Sequence, residues 1–417
     1  MSQSAHDRSI LRELGKQVAE IAALPVQQET IALWKALNDL KPQRPMVMID
    51  QVCWHEMDVK DAHNNDELTI RTQDEFCQAI ERDLRRTLYA WKHMRGDMVV
   101  EPVVVIAKAI DGADFGIKIE EDRAVSDPGN DIVGHLYHDQ LQTDDDLQKI
   151  RLPDARLDEA ETARRETMAR EIFEGILDVE MRGLAPTFNA WDWVVQWRGA
   201  ENVLIDLADR PEFMHRLFGR VTDAALTLLD QAEERGLLAQ RLSRIHCTGA
   251  YTDDLPAPGF DRKKPRTKDL WTMGMAQIFA SVSPTMHQEF DLDYAQRFYS
   301  RFGLVYYGCC EPLHMKMDLV KKIPNVRKVS MSPWVDVEKG AEGIGRHLVF
   351  SRKPTPAFLA EDTWHPELVE SDLRNVVETC ARHGCPLELI LKDISTVHYQ
   401  PQRLWQWADI AMRVVRA

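Results

Sequence analysis

The chain has neither a Gly-rich phosphate loop of the Walker type nor a G-x-S-x-G elbow, which sets aside phosphoryl transfer and serine hydrolysis by those devices. No apolar run approaches bilayer length, and the opening "MSQSAHDRSILRELGKQ" is polar and amphipathic without a signal-peptide pattern. A cytoplasmic protein with no membrane partner is therefore expected. Concentrated positive charge is also missing: the formal net charge is −15, and the basic residues are scattered apart from "DRKKPRTK" at Asp261 to Lys268. Nucleic acid is excluded as a partner on that ground, because neutralising phosphates needs a basic face. The seven cysteines, Cys53, Cys77, Cys247, Cys309, Cys310, Cys380 and Cys385, are odd in number and lack a disulfide-scaffold spacing. They read as reduced thiols, some buried and some candidate ligands.

What is present is a long alternation of helix and strand patterns. Residues 1–75 read as a helical and extended segment, in which "SILRELGKQVAEIAALP" and "QQETIALWKALNDL" carry apolar residues at three- and four-residue intervals and are broken by Pro25 and Pro42. Residues 76–417 read as the main unit, with a polar, turn-rich excursion near 112–153. "RPMVMID" and "DMVVEPVVVIAKAI" have the composition of buried strands. From Asp154 onward helices lead repeatedly into short apolar runs such as "RLSRIHCTG", "LVYYGCC", "HLVFSRKP" and "PLELILKDIS". Such alternation predicts a parallel sheet, and the count suits a (β/α)8 TIM barrel, in which polar residues just past the strand ends collect on one face.

Several candidates fall at predicted strand ends. "YGCCEPLH" brings Cys309, Cys310, Glu311 and His314, all ligand types that zinc accepts. Neighbouring residues on a strand face opposite ways, so Cys310 with Glu311 or His314 is the expected inward set and Cys309 the packing residue. The alternative is a core strand that carries two small soft residues. His246 and Cys247 end an earlier run, where they are either part of the same face or simply hydrogen-bonded at a strand end. Tyr307 closes the apolar run before the cysteines. Lys392 and Asp393 follow "LELIL"; two charges there are costly unless paired or used. Gln277 falls near another strand end as a substrate-orienting or core amide, and Asp254 lies in a Pro-rich loop as a proton-handling or merely solvated carboxylate.

The second half, from about Asp206, resembles the uroporphyrinogen decarboxylase superfamily, whose fold is a (β/α)8 barrel. The stretches carrying the likeness are "SPTMHQEFDLDYAQRFYSRFGLVYYGCCEP" and "HLVFSRKPTPAFL". Where the decarboxylases carry an arginine-rich substrate motif this chain has "RPMVMIDQVCWHEM", so the resemblance points to the corrinoid-linked methyltransferase-like members. It implies a zinc-dependent methyl transfer between a small molecule and a corrinoid protein or thiol acceptor, with room for a homodimer. "YGCCE" looks like the family's first ligand position, and "LELILKDIST" occupies the later one without its cysteine. On this reading Cys310, Glu311, His314 and Cys247 would be ligands, His246, Gln277 and Tyr307 would meet substrate, and Lys392, Asp393 and Asp254 would handle protons. A metal-free decarboxylase or lyase, and a non-catalytic ligand-binding barrel, are the alternatives.

Overall fold

The computed structural model describes residues 5–58, 66–125 and 133–417. Its centre is a six-stranded parallel sheet, ordered in space as Met46–Ile49, Leu387–Leu391, Val349–Arg352, Val326–Met331, Leu304–Tyr307 and Trp271–Gly274. Beyond the last strand, Phe188 makes an isolated parallel bridge to Gly274, and Leu184 makes another to Leu238. A separate parallel pair joins Val103–Ala107 to Asp178–Arg182. The architecture is mixed α/β with helices between consecutive parallel strands, as the alternation predicts.

Helix boundaries follow local chemistry. Asp74 accepts from Cys77 N at 3.2 Å to cap Glu75–His93, and Asp158 accepts from Glu161 N at 2.9 Å to cap Glu159–Phe173. Pro25, Pro211 and Pro366 open their helices, where a missing N–H costs nothing. The helix Pro366–His383 stops at Gly384, which takes the left-handed conformation that a terminating turn requires.

The N-terminal helix Ala5–Ala22 packs with Glu75–His93 and Glu159–Phe173 in an apolar cluster of their own, which includes Leu11, Ile80, Leu84 and Phe173. The excursion forms an antiparallel hairpin, Glu121–Ala124 against Gly134–Tyr137, and returns through a short pairing of Ile110–Asp111 with Arg156–Leu157.

The two faces of the sheet differ in character. Val305, Tyr307, Val329, Met331, Phe350, Leu387, Leu389 and Leu391 pack into the large apolar cluster with the helices. Strand alternation turns Tyr306, Lys328, Ser330, Ser351 and Glu388 the other way, and these residues are fully buried too. A buried face this polar must find hydrogen bonds within the protein, and its network extends toward the C-terminal ends of the strands, leaving Glu388 Oε1 without a partner among the described residues.

Candidate functional site

The lower part of the polar face is closed by an ion pair. Lys328 Nζ donates to Glu388 Oε2 at 2.8 Å, to Gly249 O at 3.0 Å and to Thr248 Oγ1 at 3.2 Å, and Thr248 Oγ1 donates to the same carboxylate oxygen at 2.7 Å. Burial pushes the Lys328 ammonium below its ordinary range, against the pull of Glu388. Further up, Lys353 Nζ donates to Tyr306 OH at 2.5 Å and to Ser351 Oγ at 2.8 Å.

At the strand ends three loops meet. Lys392 Nζ, 2 % exposed, donates to Cys309 Sγ at 2.9 Å, lies 3.3 Å from His246 Nε2 and pairs with Asp393 Oδ2 at 3.3 Å. Cys309 Sγ is 3.5 Å from His246 Nε2 and 3.6 Å from Cys310 Sγ, and the Cys310 thiol donates to Asp393 Oδ2 at 3.5 Å. The hydrogen bond from Cys310, together with His246 and the Lys392 charge, holds the Cys309 thiol well below the usual range. Cys310 is pushed the opposite way, first by that same hydrogen bond and then by burial. The pair therefore behaves as a dithiol that keeps one proton. Burial disfavours charge on His246, but hydrogen bonds to Cys247 and Cys309 outweigh it and raise the imidazole to about 9.

Backbone geometry explains the convergence. Gly308, with φ +93°, ends the strand Leu304–Tyr307 and breaks the alternation, so both cysteines reach the site. A side chain at position 308 would also collide with Leu313, whose Cδ1 would lie 2.6 Å from the added carbon. His246 and Asp393 are themselves left-handed, at φ 50° and 56°. Non-glycine residues adopt this conformation at a cost, and such strain gathers at functional sites.

The expected inward set was Cys310 without Cys309. In the structure Cys309 is the sulfur held by Lys392 and His246, and Cys310 is the one that lines a cavity. Glu311 is buried and braces two loops instead of facing open space: its oxygens accept from Cys309 N at 2.5 Å and Ala276 N at 2.9 Å, and burial raises it to about 7. His314 lies near Asp336 and Lys339 on the short turn Leu313–Met315, and burial lowers its pKa. Cys247 is fully buried among Trp34, Met46, Met48, Val349 and Ile390, in the same two-residue turn that presents His246. The four candidate ligands are thus not gathered at one point.

Gln277 does reach the strand-end side, where its Nε2 donates to Asp192 Oδ2 at 3.0 Å. Asp192 itself is raised to about 6, chiefly by burial and in part by Cys309. Tyr307 faces the helices, where its hydroxyl bonds His287 at 2.7 Å and Asp291 at 3.1 Å. Its neighbour Tyr306 is the tyrosine on the polar face. Asp254 pairs with Arg327 at 2.7 Å, beside the N-terminal start of the strand Val326–Met331 and so at the end of the sheet away from Cys309. The tight turn at His246–Cys247 sends the chain back down, which carries Asp254 away from the site.

Two donor spacings suit a zinc ion. Tetrahedral zinc, with bonds of about 2.3 Å to sulfur and 2.0 Å to nitrogen, sets its donors roughly 3.5–3.8 Å apart. The Cys309–Cys310 and Cys309–His246 separations of 3.6 and 3.5 Å match. Lys392 Nζ, however, contacts both Cys309 and His246. Among the described residues no group of three or more His, Cys, Asp or Glu side chains is arranged to hold a metal.

Beside the cluster lies a cavity of about 300 Å³, walled by Cys310, Lys353, Lys392 and Asp393 on the polar side and by Pro333, Trp334, Pro356 and Ala357 on the apolar side. Sequence reasoning missed Cys309 as a contact residue, and also Lys353, Asp192 and the Lys328–Glu388 pair. The available signal was a lysine set in or just after an apolar strand in "VRKVSMS" and "VFSRKP".

No protein-family model matches the chain, and no curated protein matches it in sequence. Solved structures do match. One, a methyltransferase from Methanosarcina mazei, aligns over 92% of this chain and 98% of its own with a TM-score of 0.50 at 11% identity. At that identity the likeness establishes a shared mixed α/β fold along nearly the whole chain. Among the described residues no helix is long and apolar enough to cross a membrane.

Proposed function

We propose that the protein is a methyltransferase of the corrinoid-linked kind within the uroporphyrinogen decarboxylase superfamily, with the parallel sheet closing as a (β/α)8 barrel. It moves a methyl group between a small molecule and a thiol or corrinoid-protein acceptor. The observation that carries this reading is the Cys309 thiolate, gripped by Lys392 at 2.9 Å and His246 at 3.5 Å directly behind Cys310 and Lys392, which line a small cavity. The fold shared with a methyltransferase supports it.

Cys309, Cys310 and His246 have donor chemistry that suits zinc, with Cys309 3.6 Å from Cys310 and 3.5 Å from His246, and they would hold the ion once Lys392 swings aside. When bound, the ion supplies Lewis acidity that keeps a sulfur nucleophile ionised near neutral pH. The chain's own groups do the rest. Glu311 fixes the Cys309 backbone through its N–H, and Ser330 Oγ fixes the same residue by donating to Cys309 O at 2.6 Å. Asp393 accepts the Cys310 proton bond and anchors Lys392. Pro333, Trp334 and Pro356 form the apolar wall of the cavity.

Protein purified without chelator should carry about one zinc per chain, lost in Cys309→Ser and His246→Ala. It should also methylate cob(I)alamin or a small thiol when given a methyl donor. Folded, metal-free protein inactive in both assays overturns the reading. One observation favours a lyase as the second reading: the buried Lys392 ammonium at the cavity wall is placed to protonate a carbanion. Release of CO2 from a carboxylated substrate by metal-free protein would select it.

A further inference from the structure

We propose that the cavity beside Cys310 takes a small zwitterion, a methylated onium carboxylate, with the carboxylate at Lys353 and the onium group between Asp393 and Trp334. That the ligand carries methyl groups rests on the methyl-transfer reading; the two charged poles rest on the cavity alone.

The anion-binding pole is Lys353. Its side chain is 2 % exposed yet lines the cavity, and its two hydrogen bonds go to the hydroxyls of Tyr306 and Ser351. An ammonium has three donors, so one is left over. Among the described residues no carboxylate lies within ion-pair distance of it, whereas Lys328 has Glu388 and Lys392 has Asp393. Cys247, the other ionisable group that feels Lys353, is sealed behind the wall and does not line the cavity. A buried cation without a carboxylate is costly, and an entering anion relieves that cost.

The cation-binding pole is Asp393 with Trp334. Asp393 uses Oδ2 for Lys392 and Cys310, no protein group among the described residues bonds its Oδ1, and its side chain is 48% exposed. Trp334 lines the same cavity and is 72% exposed, so an aromatic surface is open to a ligand cation. Of the charged groups in the lining, Lys392 and Asp393 pair with each other and Lys353 has no carboxylate partner among the described residues. A zwitterion puts its carboxylate at Lys353 and its onium group at the open Asp393 oxygen and Trp334, whereas a simple cation leaves Lys353 unmatched and a simple anion leaves the Asp393–Trp334 pole empty. The volume of about 300 Å³ suits a ligand of that size, at the small end of binding pockets.

Calorimetric titration of the full chain tests this with four probes. Glycine betaine and dimethylsulfoniopropionate represent the nitrogen and sulfur sources of the onium group. Choline lacks the carboxylate, and 3,3-dimethylbutyrate lacks the positive charge. At least one onium carboxylate should bind, and choline and 3,3-dimethylbutyrate should each bind it at least ten-fold more weakly. Lys353→Met should reduce the onium carboxylate's affinity to that of choline. Asp393→Asn, at a half-exposed position, should weaken the onium ligands and leave 3,3-dimethylbutyrate unchanged. Absence of binding by both zwitterions at millimolar concentration, equal affinity for choline, or unchanged affinity in both variants overturns the proposal. Cys309→Ser separates the two readings: binding should persist there after methyl transfer is gone, and binding without any methyl transfer in the unmodified protein defeats the catalytic reading alone.

Discussion

Lys328 and Lys392 stand on neighbouring parts of one polar face and solve the same problem in opposite ways. Lys328, at the middle of its strand, is sealed by a carboxylate, a hydroxyl and a carbonyl that use all three of its donors. Lys392, one residue past its strand, is held by a thiolate, an imidazole and a carboxylate that is half in solvent. The first arrangement has nothing left to offer a ligand. The second is built from groups whose protonation can change, next to a cavity. Position along the strand separates structure from chemistry here, since depth forces an ion pair to close and the strand end lets it stay open.

The sharpest way to break that comparison is Glu388→Ala. It strands the Lys328 charge in the core, and denaturant unfolding should show a loss of about 3–5 kcal/mol, the usual cost of orphaning one partner of a buried pair. Cys309→Ser should be the mirror image. Zinc binding and methyl transfer should disappear while the unfolding free energy changes by no more than about 1 kcal/mol, as for a near-isosteric change.

A third test follows the thiolate by its alkylation rate with iodoacetamide across pH. Because the hydrogen bond from Cys310, with His246 and the Lys392 charge, holds Cys309 below the usual thiol range, its alkylation should persist well into acid; Lys392→Met removes one of these supports, so the alkylation profile should then shift to higher pH. Glu311 gives a weaker, pH-dependent signal. Its folded pKa of about 7 lies above the ordinary carboxyl value of 4.5, so the folded state binds the extra proton between those values and loses stability as pH rises from 4.5 to 7. Glu311→Gln should flatten that slope in thermal unfolding followed against pH. Smallest of all is Asp254→Asn, expected to change stability by less than about 0.5 kcal/mol and activity not at all, because its pair with Arg327 is half exposed and lies at the far end of the sheet.

The sheet was largely legible because apolar strand runs and amphipathic helices follow from burial, and burial is written locally. The site was legible in part. His246, Cys310, Lys392 and Asp393 stood out as polar residues at strand ends, and they do meet. Cys310 lines the cavity as expected, but the exclusion of Cys309 failed because the alternation rule presumes that the strand continues, whereas the left-handed Gly308 ends it first. Tyr307 closes the run before the cysteines, but strand alternation turns it toward the helices. Lys353 escaped notice because nothing local distinguishes a lysine that will be buried against Tyr306, forty-seven residues away, from one in solvent.

The left-handed backbone at Asp393 has a consequence for anyone who alters this protein. Glycine would occupy φ 56° without penalty, but it would leave the buried Lys392 ammonium without its carboxylate partner. Directed evolution scored only on heat resistance should therefore keep an acid at this position, and the most durable descendants would carry the strained backbone forward with it.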